Sequence, residues 1–267
     1  MQVFGTLRGK KSLITRFNLV PTENLIEEVD VDESEKFIQL LDKLRPNFVI
    51  NCTGITIRNA DHLNSEKNYR INSFFPRILS LWCQNNQARL ITFSTDCVFD
   101  GTKGNYSEAD FPTELSIYGQ SKFLGEVTDE NSLTLRVSVI GREIFGKTEL
   151  LEWFLAHKNK IVQGYSEVFY SGLTTNFLAQ EVVRIIKSYP TLSGRYQIAC
   201  EKISKFELLS LVNKIFDNRT EIIKNSSKKA DKSLNCDKYI SMTKFVKPEW
   251  EVMLTEMRND QFRYERV

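Results

Sequence analysis

The stretch that decides the fold and the chemistry is RLITFSTDCVFDGTKGNYSEADFPTELSIYGQSKFLGE, which occupies residues 89–126. Residues 89–93 are an apolar run typical of a buried strand, and that strand would present the Ser-Thr-Asp of residues 94–96 at its carboxyl end. About two dozen residues later, Tyr118 and Lys122 lie on what reads as the first turn of a helix. Residues four apart on a helix share one face. The phenol and the ammonium are therefore expected to converge on one point.

This pattern is typical of enzymes that reduce a carbonyl by hydride transfer, because the carbonyl oxygen then needs a proton donor. The pKa of a tyrosine is normally about 10, and a neighbouring lysine ammonium is expected to lower it. A hydroxyl from Thr95 would hold the oxygen being reduced. A tyrosine and a lysine at this spacing also occur by chance on exposed helices, but the Ser-Thr-Asp upstream makes the set more specific. We therefore predict Thr95, Tyr118 and Lys122 as catalytic residues.

The composition argues against several other classes of protein. The chain has 267 residues, 41% of them hydrophobic and 26% charged, which suits one sizeable α/β domain with a smaller lobe. Its formal net charge of +2, with no stripe of basic and aromatic residues, gives no support for nucleic-acid binding. The lysines at 228–229 read as part of a solvated loop. No apolar run reaches the ~18 residues of a membrane span, and no signal peptide is visible.

Cysteine and histidine usage predicts a cytoplasmic protein without a metal site. The five cysteines are odd in number and show no Cys-x-x-Cys spacing, so they are interpreted as reduced thiols. His62 and His157 are far apart and form no metal-ligand pattern.

The order of the predicted elements indicates a doubly wound parallel sheet, because strands alternate with helices through the first half of the chain. Asp32 is predicted to cap the first long helix, and the Lys-, Ser- and Asn-rich stretch 225–247 is predicted to be a loop. The predicted strands are 3–7, 25–29, 48–50, 89–93, 133–140, 195–199 and 220–224; the predicted helices are 33–45, 65–85, 118–128, 149–157, 174–188 and 204–216; residues 161–172 are predicted to be irregular.

Three motifs in the chain resemble the extended short-chain dehydrogenase/reductase family, and within it the dTDP-4-dehydrorhamnose reductase branch. They are STDCVFDG at 94–101, YSEADFP at 106–112 and YGQSKFLGE at 118–126. The similarity is strongest between residues 47 and 145. It implies an α/β Rossmann-like fold with an interwoven substrate lobe, and NAD(P)H-dependent reduction of a nucleotide-activated 4-keto-6-deoxysugar for surface polysaccharides. A homodimer is also conceivable.

The resemblance implies a dinucleotide-binding domain at 1–145 and a substrate lobe at 146–267, with helix 174–188 packing back on the first domain. Asn72 is expected to brace the neighbouring strand ends. Arg8 is either a contact to the adenosine 2′-phosphate or an ordinary exposed arginine, and Trp153 either lines the substrate pocket or packs in the core. The implied cofactor contacts are Arg8, Asn51, Cys52, Thr53, Gly54, Ser94, Tyr118, Lys122 and Val139; the implied substrate contacts are Asp96, Cys97, Trp153 and Lys232.

Two alternative functions remain open from the sequence. Cys97 stands where rhamnose-type reductases usually carry tyrosine, whereas epimerase/reductases of the GDP-fucose synthase type carry an acid/base cysteine there. Glu143 would then be the second acid, although one cysteine at a strand end is more often a small packed hydrophobe. A non-catalytic regulatory subunit is the other alternative, because the regulatory subunit of methionine adenosyltransferase also resembles this family.

One expected feature is missing from the N-terminal part of the sequence. Dinucleotide-binding sheets begin with a strand, a glycine-rich turn and a helix that receives the pyrophosphate. Only Gly5 and Gly9 occur in the first fifteen residues, and residues 2–8 instead resemble the second strand of the family. We therefore expect that the numbering starts about thirty residues inside the usual beginning of the family, after the first βα unit.

Overall fold

The structure is a computed structural model that describes residues 1–15, 21–58, 63–144 and 146–260; His62 lies outside these residues. The strands are β1 (Gly5–Thr6), β2 (Leu25–Ile26), β3 (Phe48–Asn51), β4 (Arg89–Thr95), β5 (Ser132–Val137), β6 (Val139–Ile140), β7 (Ile161–Tyr170), β8 (Leu173–Thr174), β9 (Gly194–Gln197), β10 (Ile203–Ser204) and β11 (Glu221–Asp231). The helices are α1 (Ser12–Thr15), α2 (Ser34–Leu44), α3 (Ser65–Tyr69), α4 (Phe75–Asn85), α5 (Ile117–Leu124), α6 (Leu150–Leu155), α7 (Thr175–Ser188), α8 (Lys205–Phe216), α9 (Asp237–Thr243) and α10 (Trp250–Arg258).

The central sheet is parallel and has the order β3-β4-β5-β9. Every residue of β5 is buried, which is expected of a parallel strand covered on both faces. Successive side chains of a strand point to opposite faces. Leu90 accordingly belongs to a core cluster with α2 and α4, whereas Ile91 belongs to a second cluster with α7, α8 and α10. The predicted α/β, Rossmann-like doubly wound sheet is confirmed.

The first two strands stand apart from this sheet. Gly5 pairs in parallel with Leu25, but within the described residues neither β1 nor β2 is hydrogen-bonded to β3. The outer edge of β3 therefore carries no strand among these residues, and Ile50 on β3 is 42% exposed. The expectation of a preceding βα unit concerns residues before Met1, so it stays a prediction.

A second sheet, in the order β10-β7-β11, corrects two loop predictions. Residues 161–172 were predicted to be irregular, yet most of them form β7, in which Gly164 lets Phe206 and Ile222 pack closely. The predicted loop 225–247 continues the strand predicted at 220–224 as β11, and it also contains α9. β11 is mostly exposed at the edge of its sheet, and polar, lysine-rich sequences are usual on such edges. Its composition therefore resembled that of a loop.

Two helix predictions are corrected in detail. The N-cap of α2 is Glu33 rather than Asp32, whose carboxylate instead receives a hydrogen bond from Arg70 at 2.6 Å. The helix predicted at 65–85 is interrupted by a π-helical turn at Arg70–Phe74, between α3 and α4. Such turns often occur at functional sites, and this one carries Asn72 towards α5. The helix α10 has no counterpart among the predicted elements.

The core cluster on the α7 side contains residues of both predicted lobes. Leu133 and Leu135 of the central sheet belong to it together with Leu178 and Val182 of α7. The helix predicted at 174–188 therefore shares a core with the sheet. The division of the chain near residue 145 stays a prediction.

Candidate active site

The carboxyl end of β4 and the first turn of α5 form the centre of the candidate site. Thr95 is 7% exposed, and its hydroxyl donates to Asp96 Oδ1 and accepts from the Cys97 N–H, each at 3.1 Å. The Tyr118 hydroxyl has the Thr95 side chain as a hydrogen-bonding neighbour. Lys122 lies one turn further along α5 and donates to the Phe93 carbonyl at 2.7 Å. The strand end and the helix face thus place Tyr118 beside Thr95, with Lys122 one helical turn away and bound to the carbonyl two residues before Thr95.

Two glycines of the Tyr-Gly-x-x-Lys-x-x-Gly run let α5 approach its neighbours closely. A Cβ on Gly119 would lie 2.5 Å from the Cys97 carbonyl oxygen, and one on Gly125 would lie 1.9 Å from the Asn72 carbonyl oxygen. Both distances are far too short for a side chain. The glycines therefore fix the position of α5, and with it the positions of Tyr118 and Lys122.

The pKa of Tyr118 is raised, mainly by burial and then by Cys97, while Thr95 opposes the rise. This is opposite in direction to the lowering that the sequence suggested for a tyrosine beside Lys122. Burial also lowers the pKa of Lys122 to about 8, against the opposing effects of Glu126 and Cys52. A phenol with a raised pKa is protonated at neutral pH, so it is suited to donate a proton rather than to accept one.

Asn72 joins the loop after β3 to the helix α5, rather than two strand ends as expected from the resemblance. Its side-chain oxygen accepts from the Ile55 N–H at 2.9 Å, and its amide nitrogen donates to the Ile55 carbonyl and to Ser121 Oγ, each at 3.0 Å. Ser73, its neighbour, donates to the Ser121 carbonyl at 2.7 Å. The loop after β3 and the helix α5 are thereby held at a fixed separation.

The predicted cofactor contacts near β3 differ in their surroundings. Asn51 is buried; it donates to Thr92 Oγ1 at 3.2 Å and accepts from the Thr53 N–H at 3.1 Å. Cys52 and Gly54 are exposed, and Lys122 Nζ would lie 3.7 Å from a Cβ on Gly54. The exposed backbone of Gly54 therefore lies beside the ammonium of Lys122.

The other predicted cofactor contacts are more scattered. Arg8 lies just beyond β1 and is exposed, and Val139 on β6 is 43% exposed. Ser94 is 5% exposed and donates its hydroxyl to Glu126 Oε1 at 2.7 Å. The Ser94 hydroxyl is therefore already hydrogen-bonded to another group of the protein. The cofactor contacts of Arg8, Val139 and Ser94 remain predictions.

The sequence reasoning missed a buried ionic network behind the site. Glu126 receives hydrogen bonds from Arg136 Nε and Nη2 at 2.7 and 2.9 Å, and from Arg195 Nη1 at 3.0 Å. Arg136 is fully buried and stacks over Phe99, its guanidinium carbon lying 5.1 Å from the ring centre. The register of β5 and β9 places Arg136 and Arg195 on the same face of the sheet. The only signal in the sequence was the charge at the end of the Tyr-Gly-x-x-Lys-x-x-Gly-Glu run.

Three of the predicted substrate contacts cluster beside Thr95. Burial raises the pKa of Asp96, although hydrogen bonds from Ser138 and Thr95 oppose this. Burial and the neighbouring Asp96 raise the pKa of Cys97 to about 12, so the thiol is protonated at neutral pH. Lys232 forms an ion pair with Glu114 at 3.0 Å.

Trp153 and Glu143 lie in other surroundings. Trp153 lines a separate cavity and is also packed against the core, so both interpretations of this residue have support. Glu143 accepts hydrogen bonds from Thr148 and from the Glu149 N–H, at the start of α6. The Glu143 carboxylate therefore already accepts hydrogen bonds within the segment that leads into α6.

In the part of the chain that the structure describes, no group of three or more histidine, cysteine, aspartate or glutamate side chains is placed to hold a metal ion. None of the described helices is long and apolar enough to cross a membrane.

Solved structures share this fold. The chain superposes with a TM-score of 0.77 on dTDP-4-dehydrorhamnose reductase from Bacillus anthracis in complex with NADP, at 18% identity, covering 96% of this chain and 99% of the other. A hypothetical dTDP-4-dehydrorhamnose reductase from Sulfolobus tokodaii gives a TM-score of 0.72 at 23% identity, covering 92% and 98%. At these identities the superpositions show the fold alone.

Sequence relatives point to the same group of proteins. A probable low-salt glycan biosynthesis reductase from Haloferax volcanii is 37% identical over 120 residues, which are 43% of this chain and 40% of that protein. The dTDP-4-dehydrorhamnose reductase of Aggregatibacter actinomycetemcomitans is 27% identical over 184 residues, 65% of this chain and 62% of that protein. The methionine adenosyltransferase 2 subunit beta of Rattus norvegicus is 32% identical over 156 residues, 56% of this chain and 43% of that protein.

The chain thus spans about half the length of the curated relatives it matches. The model of the RmlD substrate binding domain family matches residues 11–261, which is nearly the whole chain. The chain belongs to the RmlD substrate binding domain family.

Proposed function

We propose that the protein is an NAD(P)H-dependent reductase of a nucleotide-activated 4-keto-6-deoxysugar, acting in the cytoplasm in the synthesis of surface polysaccharides. The observation that carries this proposal is the convergence of Thr95, Tyr118 and Lys122 at the carboxyl end of β4. Ligands of open α/β sheets bind at that edge. Reductases among the sequence relatives support the same reaction class.

A bound NAD(P)H would supply the hydride for the proposed reduction at the C4 carbonyl carbon, and the residues of the chain would supply the proton and the positioning. Tyr118 donates its phenolic proton to the carbonyl oxygen as negative charge develops there, and its raised pKa keeps that proton available at neutral pH. Thr95 would donate a hydrogen bond to the same oxygen, which requires its hydroxyl proton to turn away from Asp96. Lys122 provides positive charge beside the reacting centre.

The described residues fit the nicotinamide end of a dinucleotide. Gly54 is exposed and lies beside Lys122 Nζ, so these two residues would hold the ribose of the cofactor. Asn51, Cys52 and Thr53 lead to this point from β3. At the pyrophosphate end, no glycine-rich turn between a strand and a helix N-terminus occurs among the described residues. Arg8, if it meets a 2′-phosphate, would favour NADPH over NADH.

The first alternative, an epimerase/reductase, is disfavoured by the surroundings of its two candidate acid/base groups. Epimerisation needs a base next to the ketone, whereas Cys97 is a protonated thiol with a pKa of about 12. Glu143 is engaged by Thr148 and the Glu149 N–H. The second alternative, a regulatory subunit, is supported by the match to the methionine adenosyltransferase subunit, but it leaves the Thr95, Tyr118 and Lys122 arrangement unexplained.

The test is consumption of NADPH, and separately of NADH, by the purified protein supplied with dTDP-4-keto-6-deoxyglucose or its rhamnose-series epimer. We expect Tyr118→Phe to lower kcat by two or more orders of magnitude, because the proton donor is lost. Cofactor affinity should change little, since the ring remains. Near-normal turnover in a folded Tyr118→Phe protein would remove Tyr118 from the mechanism, and no turnover by the native protein would favour the regulatory alternative.

A further inference from the structure

A cavity of about 200 Å³ lies between α6, β7 and α8, and the proposed reaction does not yet use it. Its wall combines two cations with two large aromatic rings. It is lined by Arg58, Leu150, Trp153, Gln163, Tyr165, Lys205 and Leu209. Ligand pockets for whole drug-sized molecules usually occupy about 300–1,000 Å³. The cavity therefore suits one segment of a nucleotide sugar rather than the entire molecule.

Lys205 is placed unfavourably when the cavity holds no anion. It is the first residue of α8, where the helix dipole is positive and a cation is disfavoured. Burial lowers the pKa of Lys205, and the nearby Arg58 and Lys228 lower it further, while Cys97 and Asp96 act in the opposite direction. The Lys205 side chain has no hydrogen bond or ion pair within the described ranges 1–15, 21–58, 63–144 and 146–260.

The positive charge around the cavity is only partly compensated. Arg58 pairs with Glu149 at 3.4 Å, and both side chains are partly exposed. Lys228, predicted from the sequence to lie in a solvated loop, belongs to β11 and lies over the Tyr165 ring, 4.9 Å from its centre. Two cations thus line the cavity and a third lies over one of its aromatic walls, while Glu149 is paired with Arg58. Such an arrangement is stabilised when an anion binds.

The cavity also adjoins the proposed reacting centre. Lys205 interacts electrostatically with Asp96 and Cys97, which directly follow Thr95. Glu149, the partner of Arg58, likewise interacts with Tyr118. In a sugar activated at C1, the phosphates are separated from C4 by the hexose ring. A ring placed at Thr95 and Tyr118 can therefore direct its phosphates into the cavity.

We propose that this cavity binds the diphosphate of the substrate, with Lys205 and Arg58 as its charged contacts. This inference rests on the proposed function and extends it. It assigns the diphosphate to Lys205 rather than to Lys232, one of the implied substrate contacts, because Lys232 is paired with Glu114 at 3.0 Å, whereas the Lys205 side chain is unpaired within the described residues. Trp153 and Tyr165 form aromatic walls of the cavity beside these two cations.

The test uses inorganic pyrophosphate and dTDP as probes, with binding to the full chain measured by calorimetry. We expect Lys205→Gln to weaken both probes at least tenfold. Lys224→Gln is the matched control, because Lys224 belongs to the neighbouring strand β11 but lies over Phe206, outside the cavity lining. Lys232→Gln should weaken both probes less than Lys205→Gln does, because Lys232 is paired with Glu114. Equal affinities of the Lys205 and Lys224 variants, or a larger loss with Lys232→Gln, would overturn the assignment.

Thermal unfolding gives a second readout that a merely structural lysine would not produce. Without ligand, Lys205→Gln should unfold at the same or a higher temperature than the native protein, because repulsion from Arg58, Lys228 and the helix dipole is relieved. Saturating pyrophosphate should reverse that order, since the native protein binds it more tightly. A variant that is less stable than the native protein without ligand would contradict the argument.

The experiments separate this inference from the proposed reaction. If the native protein reduces the keto sugar but Lys205→Gln leaves KM for the sugar nucleotide unchanged, the reductase stands and the diphosphate site fails. If no sugar is reduced but pyrophosphate binding depends on Lys205, the anion site stands and the proposed reaction fails.

Discussion

Lys122 has two properties that make its charge sensitive to pH near neutrality. Its ammonium donates to the Phe93 carbonyl, and burial lowers its pKa to about 8 against the influence of Glu126 and Cys52. A lowered lysine pKa means that the fold favours the neutral amine. The buried charge therefore opposes folding most below about pH 8, and this opposition fades as pH rises towards the ordinary value of 10.5.

We expect kcat/KM for the cofactor to fall as pH rises through about 8, because Lys122 would then lose the charge that we propose holds the ribose and supports the reaction. Lys122→Arg keeps its charge well above that pH, so its alkaline limb should move to higher pH even if its maximal rate is lower. The measurement is the pH profile of NADPH consumption for both proteins. If the alkaline side of the pH profile is the same in Lys122→Arg as in the native protein, a group other than Lys122 causes the fall in activity.

At the scale of elements, α5 owes its position to close contact between backbones. Gly125 has φ −87°, which any residue adopts, yet a Cβ there would lie 1.9 Å from the Asn72 carbonyl oxygen. Gly194 presents the opposite case, since its φ is +93° and no atom lies within 4 Å of an added Cβ. The first glycine is required for space and the second for backbone conformation.

Gly125→Ala should therefore destabilise the protein more than Gly194→Ala does. Overpacking typically costs about 1–3 kcal/mol and more where backbone cannot move, whereas a positive φ at a non-glycine residue costs roughly 1–2 kcal/mol. Because Lys122 precedes Gly125 on α5, Gly125→Ala should also lower kcat. Urea unfolding and turnover of both variants test this. A Gly194 variant that loses as much activity as the Gly125 variant would show that the effect is not local to α5.

The elements that could be predicted from the sequence are those whose buried residues form a recognisable apolar pattern within a short segment. β4 and α5 lie in one continuous run, so Thr95, Tyr118 and Lys122 could be predicted together as candidate catalytic residues. β11 was largely missed because an exposed edge strand needs no apolar alternation. The partners of Glu126 and the surroundings of Lys205 could not be predicted, because they come from strands and helices far apart in sequence and depend on the register of the sheets.

At the scale of the whole molecule, the buried Glu126 network connects the two halves of the chain. Glu126 follows α5, Arg136 lies on β5 and Arg195 lies on β9, while Glu108 in the loop after β4 accepts a hydrogen bond from the Gln197 N–H at 2.8 Å. Side chains of Glu126 and Arg136 are 2% and 0% exposed. Removing the carboxylate would leave two arginines without their shared partner.

Glu126→Gln should lower the free energy of unfolding by about 3–5 kcal/mol, which is the usual cost of leaving a buried charge unpaired. The double variant Glu126→Leu with Arg136→Met should recover a large part of that loss, because apolar residues of similar volume carry no desolvation cost. Arg195 retains partial solvent access, so it is less affected by the missing carboxylate. Urea unfolding of the single and double variants measures both effects. If the double variant is as unstable as Glu126→Gln, packing around Phe99 rather than charge pairing holds the two halves together, since Arg136 also stacks on that ring.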